Sequence, residues 1–498
     1  MNAWHRHLPR ELGQSEVELL VGDTLPSVWV SRWREQPQRA AIHDPDLGWV
    51  TGQELLDRSE IVAQRLGHAG VEPGDRVLLS ATSSVELVAA HVAILRLGAV
   101  VMPTNGAYRA EEVAHVVSDA RPKVAIVEHP EWTEWIRSAD PSVLVTSPSV
   151  ELETGTSVRL DRTETNSPAL IGYTSGTTGR PKGAVLSHGN LLASVRGLEI
   201  AWRWTPDDSL ILALPLFHMH GLGVGLHGSL AVGAKAILLP KFDVDEVLDS
   251  IKKFDATMFF GVPTMYSRLL ESPKASELKQ LRLCVSGSAP LPVELHQNIR
   301  RLTGQHVLER YGMTETAMLV SNPYEGERRA GSVGFPLPGV EVRLEGDPAE
   351  IQVKGLNVFS GYWERPNENV DAFVDGWFRT GDLGAIDPDG YLSIVGRAKE
   401  LIISGGFNVY PREVEDVISE YEPIRECAVV GVPDDEWGEV VVAFVVADRE
   451  IGDKEIKDFV GERLAHYKRP RRTYMVETLP RNALGKIQKH RLVEEIET

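Results

Sequence analysis

From Tyr173 to Gly183 the chain reads YTSGTTGRPKG, two hydroxyl-rich triplets between glycines and then Lys182. Glycine lets a backbone approach a ligand closely, and successive N–H groups in such a turn form a concavity for anions. Hydroxyls add donors and the lysine adds a positive point charge. This combination suits a polyphosphate. It is not a Walker loop: Pro181 stands where the second glycine should be, five residues after Gly176, and Lys182 follows a proline. GVGLHG (Gly223–Gly228) fits G-x-G-x-x-G, but no clear strand precedes it, and it reads as a glycine-lined helix-packing site.

The elements that would position such a site are legible in the middle of the chain. ATMFFG (256–261), LRLCVSG (281–287) and HVLER (306–310) read as strands. A helix is expected from about Pro263, and Leu295, Ile299 and Leu302 fall at helical spacing. Strand, helix, strand, helix, strand implies right-handed crossovers and a parallel sheet, which binds ligands at the carboxyl ends of its strands. GVPTMYSR, SGSAPLP and ERYGMTET occupy those ends. Earlier, RVLLSA and KVAIVE read as strands, with a buried helix in SVELVAAHVAILRLGA. Near Gly396 the chain becomes glycine-rich and polar before a compact α/β stretch, which places a hinge there.

The 498 residues are enough for two or three units. A net charge of −19 argues against non-specific nucleic-acid binding. Two distant cysteines, Cys284 and Cys427, form no disulfide framework, and no Cys/His spacing suggests zinc. The N-terminal stretch has no signal-peptide core, and VVVAFVVA (440–447) is too short to span a bilayer. A soluble, reducing location follows, most simply the cytoplasm.

Tyr173–Gly183 resembles the phosphate loop of the adenylate-forming superfamily, which contains acyl-CoA synthetases, firefly luciferase and peptide-synthetase adenylation domains. LPLFHMHG (214–221), YGMTET (311–316), GWFRTGDLG (376–384), GRAKELIISGGFNVYPREVE (396–415) and PRNALGKIQK (480–489) carry the same resemblance in family order, from about residue 40 to the end. The resemblance implies an α/β fold: a large N-terminal domain, residues 1–396, with mixed and parallel sheets flanked by helices. A small mobile α+β C-terminal domain, residues 397–498, would follow a hinge. The implied reaction joins a carboxylate to ATP, giving acyl-AMP and pyrophosphate, and then passes the acyl group to CoA with release of AMP.

The implied roles follow the motifs. Thr174, Ser175, Gly176, Thr177, Thr178, Gly179 and Lys182 would hold pyrophosphate. Thr314 would touch phosphate, and Glu315 would hold Mg²⁺, which favours a carboxylate plus substrate phosphates. Gly287, Ser288, Ala289 and Tyr311 would border the adenine, and Glu309, Gly312 and Met313 would belong to the ATP site. Asp382 would take the ribose hydroxyls, and Arg397 the ribose and phosphate. Lys399 stands at the hinge and Lys486 at the position of the adenylating lysine. Ser404, Gly405 and Gly406 would face CoA after a domain swing, with His218 between the acyl pocket and the CoA tunnel. Family lysines at the Lys486 position are acetylation targets, so acetylating regulators are implied partners.

Arg310 occupies a position that is often small in the superfamily, and Arg268 follows GVPTMYS at a second strand end. Two arginines at an acyl pocket suit a second substrate carboxylate, gripped bidentately. The wider wording is most similar to malonyl-CoA synthetases, which implies malonate or methylmalonate. The competing reading pairs Arg310 with Glu309 or Glu315. A monocarboxylate or aryl acid, a carrier-protein thiol in place of CoA, a luciferase-like oxygenase and a non-catalytic relative stay open at this level.

Overall fold

The computed structural model describes residues 3–9, 11–13, 17–19, 22–155, 157–174, 181–404, 406–434, 437–482 and 485–497. Among them the strands form four sheets, of nine, seven, five and five strands.

The nine-stranded sheet carries the expected parallel run. Met258–Gly261, Leu283–Ser286 and Leu308–Tyr311 are adjacent and parallel. Helices Pro263–Leu270 and Val293–Thr303 connect them. The first two strands are buried throughout, because crossover helices cover both faces of a parallel sheet. Register sets the site: Gly261 pairs with Ser286 and Ser286 with Glu309. The residues that follow, Val262, Gly287 and Arg310, therefore stand in one row along the carboxyl edge.

The seven-stranded sheet includes Arg76–Ser80, Val124–Val127 and the hairpin Pro168–Thr174 with Lys182–Ser187. Helix Val85–Leu97 is buried at every position except Glu86. The Ser84 hydroxyl caps its start, and Gly98, at φ +81°, ends it. GVGLHG is the packing site anticipated. It lies in a wide helical turn, His220–Leu226, running into helix His227–Val232. A Cβ on Gly228 would come within 2.5 Å of the Trp204 ring.

The third sheet is antiparallel and ends in the hairpin Trp377–Ile386 and Leu392–Arg397. The fourth begins at Ile402, so the change of sheet falls within residues 398–401. It contains Gly438–Ala447, the apolar run noted in the sequence, and packs helices Pro411–Ser419 and Asp453–Gly461 on its own core. Among the described residues no helix is long and apolar enough to cross a membrane. Both cysteines are free thiols.

Candidate active site

Two motifs distant in sequence meet first. A Cβ on Gly172 would lie 2.5 Å from Thr314 Cγ2. Gly172 precedes the loop expected to bind phosphate, and a glycine there lets the YGMTET turn rest on that strand. Thr174 is described, with its hydroxyl 3.4 Å from the Lys182 carbonyl. Ser175, Gly176, Thr177, Thr178 and Gly179 lie outside the described residues. The Lys182 ammonium stands 5.5 Å over the Tyr362 ring and 4.0 Å from Glu368.

Glu315 is buried, and its carboxylate accepts the Tyr362 hydroxyl at 2.9 Å. Burial raises its pKa, while the Tyr362 bond and the Arg397 charge pull the other way. One buried carboxylate beside Thr314 and the phosphate-loop hairpin fits an ion that keeps its waters and substrate oxygens as remaining ligands. Tyr362 carried no signal in the sequence, because its partner is far along the chain.

Asp382 and Arg397 face each other across the third-sheet hairpin and form an ion pair at 3.0 Å. The other Asp382 oxygen accepts the Tyr311 hydroxyl at 2.6 Å. The tyrosine expected beside adenine is thus tied to the aspartate expected beside ribose. Gly312 lets the turn fold tightly, since a Cβ there would lie 2.1 Å from the Ala317 carbonyl oxygen. Met313 packs against the main core.

Gly287 is required by Arg310: a Cβ would sit 2.3 Å from the Arg310 Cζ. Ser288 takes a left-handed backbone at φ +67° and places its hydroxyl 3.3 Å from His220 Nδ1. Ala289 follows, partly exposed. Glu309 accepts the Leu291 N–H at 2.8 Å through one oxygen and so ties the SGSAPLP segment, while its Oε2 finds no partner among the described residues. Burial pushes its carboxyl up to about 7.

Arg310 is only 4% exposed, and its Nε and Nη2 find no hydrogen-bond partner among the described residues. It does not pair with its neighbour Glu309, because successive strand residues point to opposite faces. Nor does it pair with Glu315, which Tyr362 engages. Burial lowers the guanidinium to about 9. Burial, then the Arg310 charge, lowers His218 to about 4 and His220 well below the usual imidazole range. His218 Nδ1 accepts the His220 N–H at 3.3 Å. His220, in the same motif, was the missed member of this group.

Arg268 does not join Arg310. It lies on the exposed face of helix Pro263–Leu270, stacked 5.0 Å over Phe242, while Tyr266 and Leu269 take the buried face. The expected pair of buried arginines is one.

The C-terminal part delivers Lys486. Asn482 ties the loop, accepting the Lys486 N–H at 3.0 Å and donating its own N–H to the Lys486 carbonyl at 2.9 Å. Gly485, at φ +75°, brings the loop against Thr264, whose Oγ1 would stand 3.2 Å from a Cβ at 485. Burial and then Arg397 depress the Lys486 ammonium, with Glu400 and Asp382 acting against them. The lysine therefore faces the Asp382–Arg397 pair. Lys399 is exposed in the turn Ala398–Glu400. Ser404 is buried in its own hairpin, and Gly405 lies outside the described residues. Gly406 would meet nothing within 4 Å, and Phe407 is 54% exposed. The lysine loop touches the large domain through Gly485 and Thr264, while Phe407 stacks on Tyr467 within the C-terminal part.

The profile of the AMP-binding enzyme family matches residues 29–363, and that of the AMP-binding enzyme C-terminal domain matches residues 413–486. The chain belongs to the AMP-binding enzyme family. Within this adenylate-forming superfamily it is malonyl-CoA synthetase-like. It is 35% identical to a malonate–CoA ligase of Arabidopsis thaliana, over 85% of this chain and 78% of the relative. It is 36% identical to a feruloyl-CoA synthase of an Amycolatopsis species, over 92% and 96%. ATP-bound MatB of Rhodopseudomonas palustris superposes with a TM-score of 0.89 at 39% identity, covering 95% of this chain and 99% of that one. Apo MatB gives 0.79 at the same 39%. The superposition is thus closer on the ATP-bound form of that neighbour than on its apo form. It is an AMP-forming acid–thiol ligase that uses a carboxylate, ATP and CoA.

Proposed function

We propose that this acyl-CoA ligase activates a small dicarboxylate of the malonate and methylmalonate type. The observation that carries the reading is the buried Arg310 guanidinium, with Nε and Nη2 unpartnered beside Gly287, His218 and His220. An uncompensated buried charge is costly, roughly 3–5 kcal/mol where a buried pair is broken. A distal substrate carboxylate would supply the missing partner through two parallel hydrogen bonds. A monocarboxylate would leave it unsatisfied.

In the proposed mechanism the proximal carboxylate attacks the α-phosphorus, a P–O bond forms, and the bond to the bridging oxygen breaks to release pyrophosphate. Lys486 would neutralise charge on the α-phosphate and bridging oxygens, while Asp382 holds the ribose hydroxyls. Thr174 and Lys182 would retain the leaving phosphates, with Arg397 beside the ribose and α-phosphate. Tyr311 and the small residues Gly287, Ser288 and Ala289 would border the adenine. Mg²⁺, held through Glu315 next to Thr314, would supply charge neutralisation on the phosphates. The C-terminal part, residues 397–498, then rotates at Lys399 and presents Ser404–Gly406 to CoA. The thiol, losing its proton to solvent, attacks the acyl carbonyl; a C–S bond forms, the C–O bond to the phosphate breaks, and AMP leaves. His218, lowered to about 4, stays neutral beside Arg310.

The feruloyl-CoA synthase relative keeps an aryl acid in view as a second reading. AMP release with ATP, Mg²⁺ and CoA, measured across malonate, methylmalonate, acetate, octanoate and 4-coumarate, separates the two. Arg310→Met should lower kcat/KM for malonate about 100-fold and for acetate less than threefold. Equal losses with both acids, or a wild-type preference for a monoacid, would reject the dicarboxylate.

A further inference from the structure

Helix Ala110–Ala120 lies beside the phosphate-loop hairpin and belongs to none of the motifs assigned above. Two of its residues reach the hairpin. His115 Nε2 is 2.8 Å from the Pro181 carbonyl oxygen, which can only accept, so the imidazole donates. Asp119 accepts the Tyr173 hydroxyl at 2.8 Å. His115 and Asp119 are one helical turn apart, on one face. Tyr173 and Pro181 bracket the loop on its two sides.

The contacts are supported from behind. Asp119 is 8% exposed on its side chain and ion-paired with Arg365. Burial, then the bond to Asp119, raises the Tyr173 hydroxyl and keeps it a donor. The His115 and Tyr173 rings meet edge to face at 6.2 Å between centroids. An open polar recess of about 430 Å³, lined by His115, Ser118, Asp119, Lys182, Arg365 and Glu368, adjoins the seam. The hairpin itself pairs Thr174 with Lys182 and Tyr173 with Gly183.

We propose that His115 and Asp119 act as a clamp on both ends of the phosphate loop, positioning it for ATP and pyrophosphate. Thr314 is seated on the hairpin at Gly172, two residues before the pairing of Thr174 with Lys182. The helix adds a hold at Tyr173 on one side and Pro181 on the other. The clamp touches no substrate and acts through the loop. The inference rests on the reading of Thr174–Lys182 as the phosphate-binding segment.

The test compares His115→Leu, His115→Gln and Tyr173→Phe in carboxylate-dependent ATP–pyrophosphate exchange and in full turnover. His115→Leu and Tyr173→Phe should each raise KM for ATP and for pyrophosphate about tenfold. KM for the carboxylate and for CoA, and kcat at saturating ATP, should change less than threefold. His115→Gln, which keeps a donor near the Pro181 carbonyl, should recover most of the affinity. Unchanged nucleotide KM in both variants overturns the clamp. So does equal loss in His115→Gln and His115→Leu, or a fall in kcat with all substrates alongside lower thermal stability, which marks a merely structural contact. If Lys182→Ala in the intact protein leaves pyrophosphate KM unchanged, the reading of the loop itself fails, and the clamp with it.

Discussion

The Tyr311 hydroxyl donates to Asp382 at 2.6 Å, while Arg397 holds the other oxygen of the same carboxylate at 3.0 Å. The aspartate comes from the third sheet and the tyrosine from the end of strand Leu308–Tyr311 in the nine-stranded one, so the bond joins two layers at the proposed nucleotide site. Hydrogen bonds to charged groups contribute about 1.5–3 kcal/mol. Tyr311→Phe should therefore raise KM for ATP roughly 10-fold, with the carboxylate KM little changed. Initial-rate kinetics with each substrate varied in turn checks this.

Lys486 lies close enough to Asp382 and Arg397 to feel both charges. Lys486→Ala should cut carboxylate-dependent ATP–pyrophosphate exchange by about 100-fold or more, consistent with losing an aligned charge at the reacting oxygens. Conversion of a supplied acyl-adenylate and CoA to thioester should fall less than threefold. Comparable losses in the two assays would place Lys486 in both half-reactions and remove the division of labour proposed for the C-terminal part.

Gly287 admits the Arg310 guanidinium. Gly287→Ala puts a methyl where Arg310 Cζ would be 2.3 Å away, so the arginine must move. Overpacking of this kind costs about 1–3 kcal/mol. The expected result is a KM for malonate raised at least tenfold and a smaller rise for acetate. A crystal structure of the variant should show Arg310 displaced from the strand edge.

Glu309 makes a pH signature. Its carboxyl is held at about 7 when folded against an ordinary value of 4.5, because burial disfavours the charge. A raised acid binds its proton more tightly in the folded state. The associated stability is therefore full below pH 4.5 and is lost as pH rises toward about 7. The shift corresponds to roughly 3 kcal/mol at most. Glu309→Gln keeps an acceptor for the Leu291 N–H and has no charge to bury. Urea denaturation should show wild type losing stability relative to this variant between pH 4.5 and 7.5, and a flat difference would reject the assignment.

Much of the parallel sheet was legible because its strands are short apolar runs broken by glycine and polar peptides at one end. ATMFFG and LRLCVSG each contain an observed strand, the strand expected in HVLER starts at Leu308 and runs on to Tyr311, and the crossover helices begin where Pro263 and the spacing of Leu295 and Ile299 place them. The site was less legible wherever helical phase or a distant partner decides the outcome. Arg268 follows a strand end in sequence, but it comes six residues into a helix whose buried face belongs to Tyr266 and Leu269. His218 and His220 are near neighbours, yet the wide turn His220–Leu226 buries the second more completely. Tyr362 and Asp119 could not be singled out, because the groups they hold, Glu315 and Tyr173, are far away along the chain. Arg310 was legible as an oddity, and its lack of partners at Nε and Nη2 became visible only in three dimensions.

The close seating of Thr314 on Gly172 has a kinetic corollary. Two layers meshed with no room for a side chain resist sliding past each other, so Gly172 and Thr314 are expected to move as one piece. Whatever rearrangement a catalytic cycle demands is then left to lighter contacts, and Gly485 against Thr264 is one of them. Friction at such contacts would help set how quickly one half of the cycle gives way to the next. Changes at Thr264 could tune the enzyme's pace while leaving its chemistry and its choice of acid untouched.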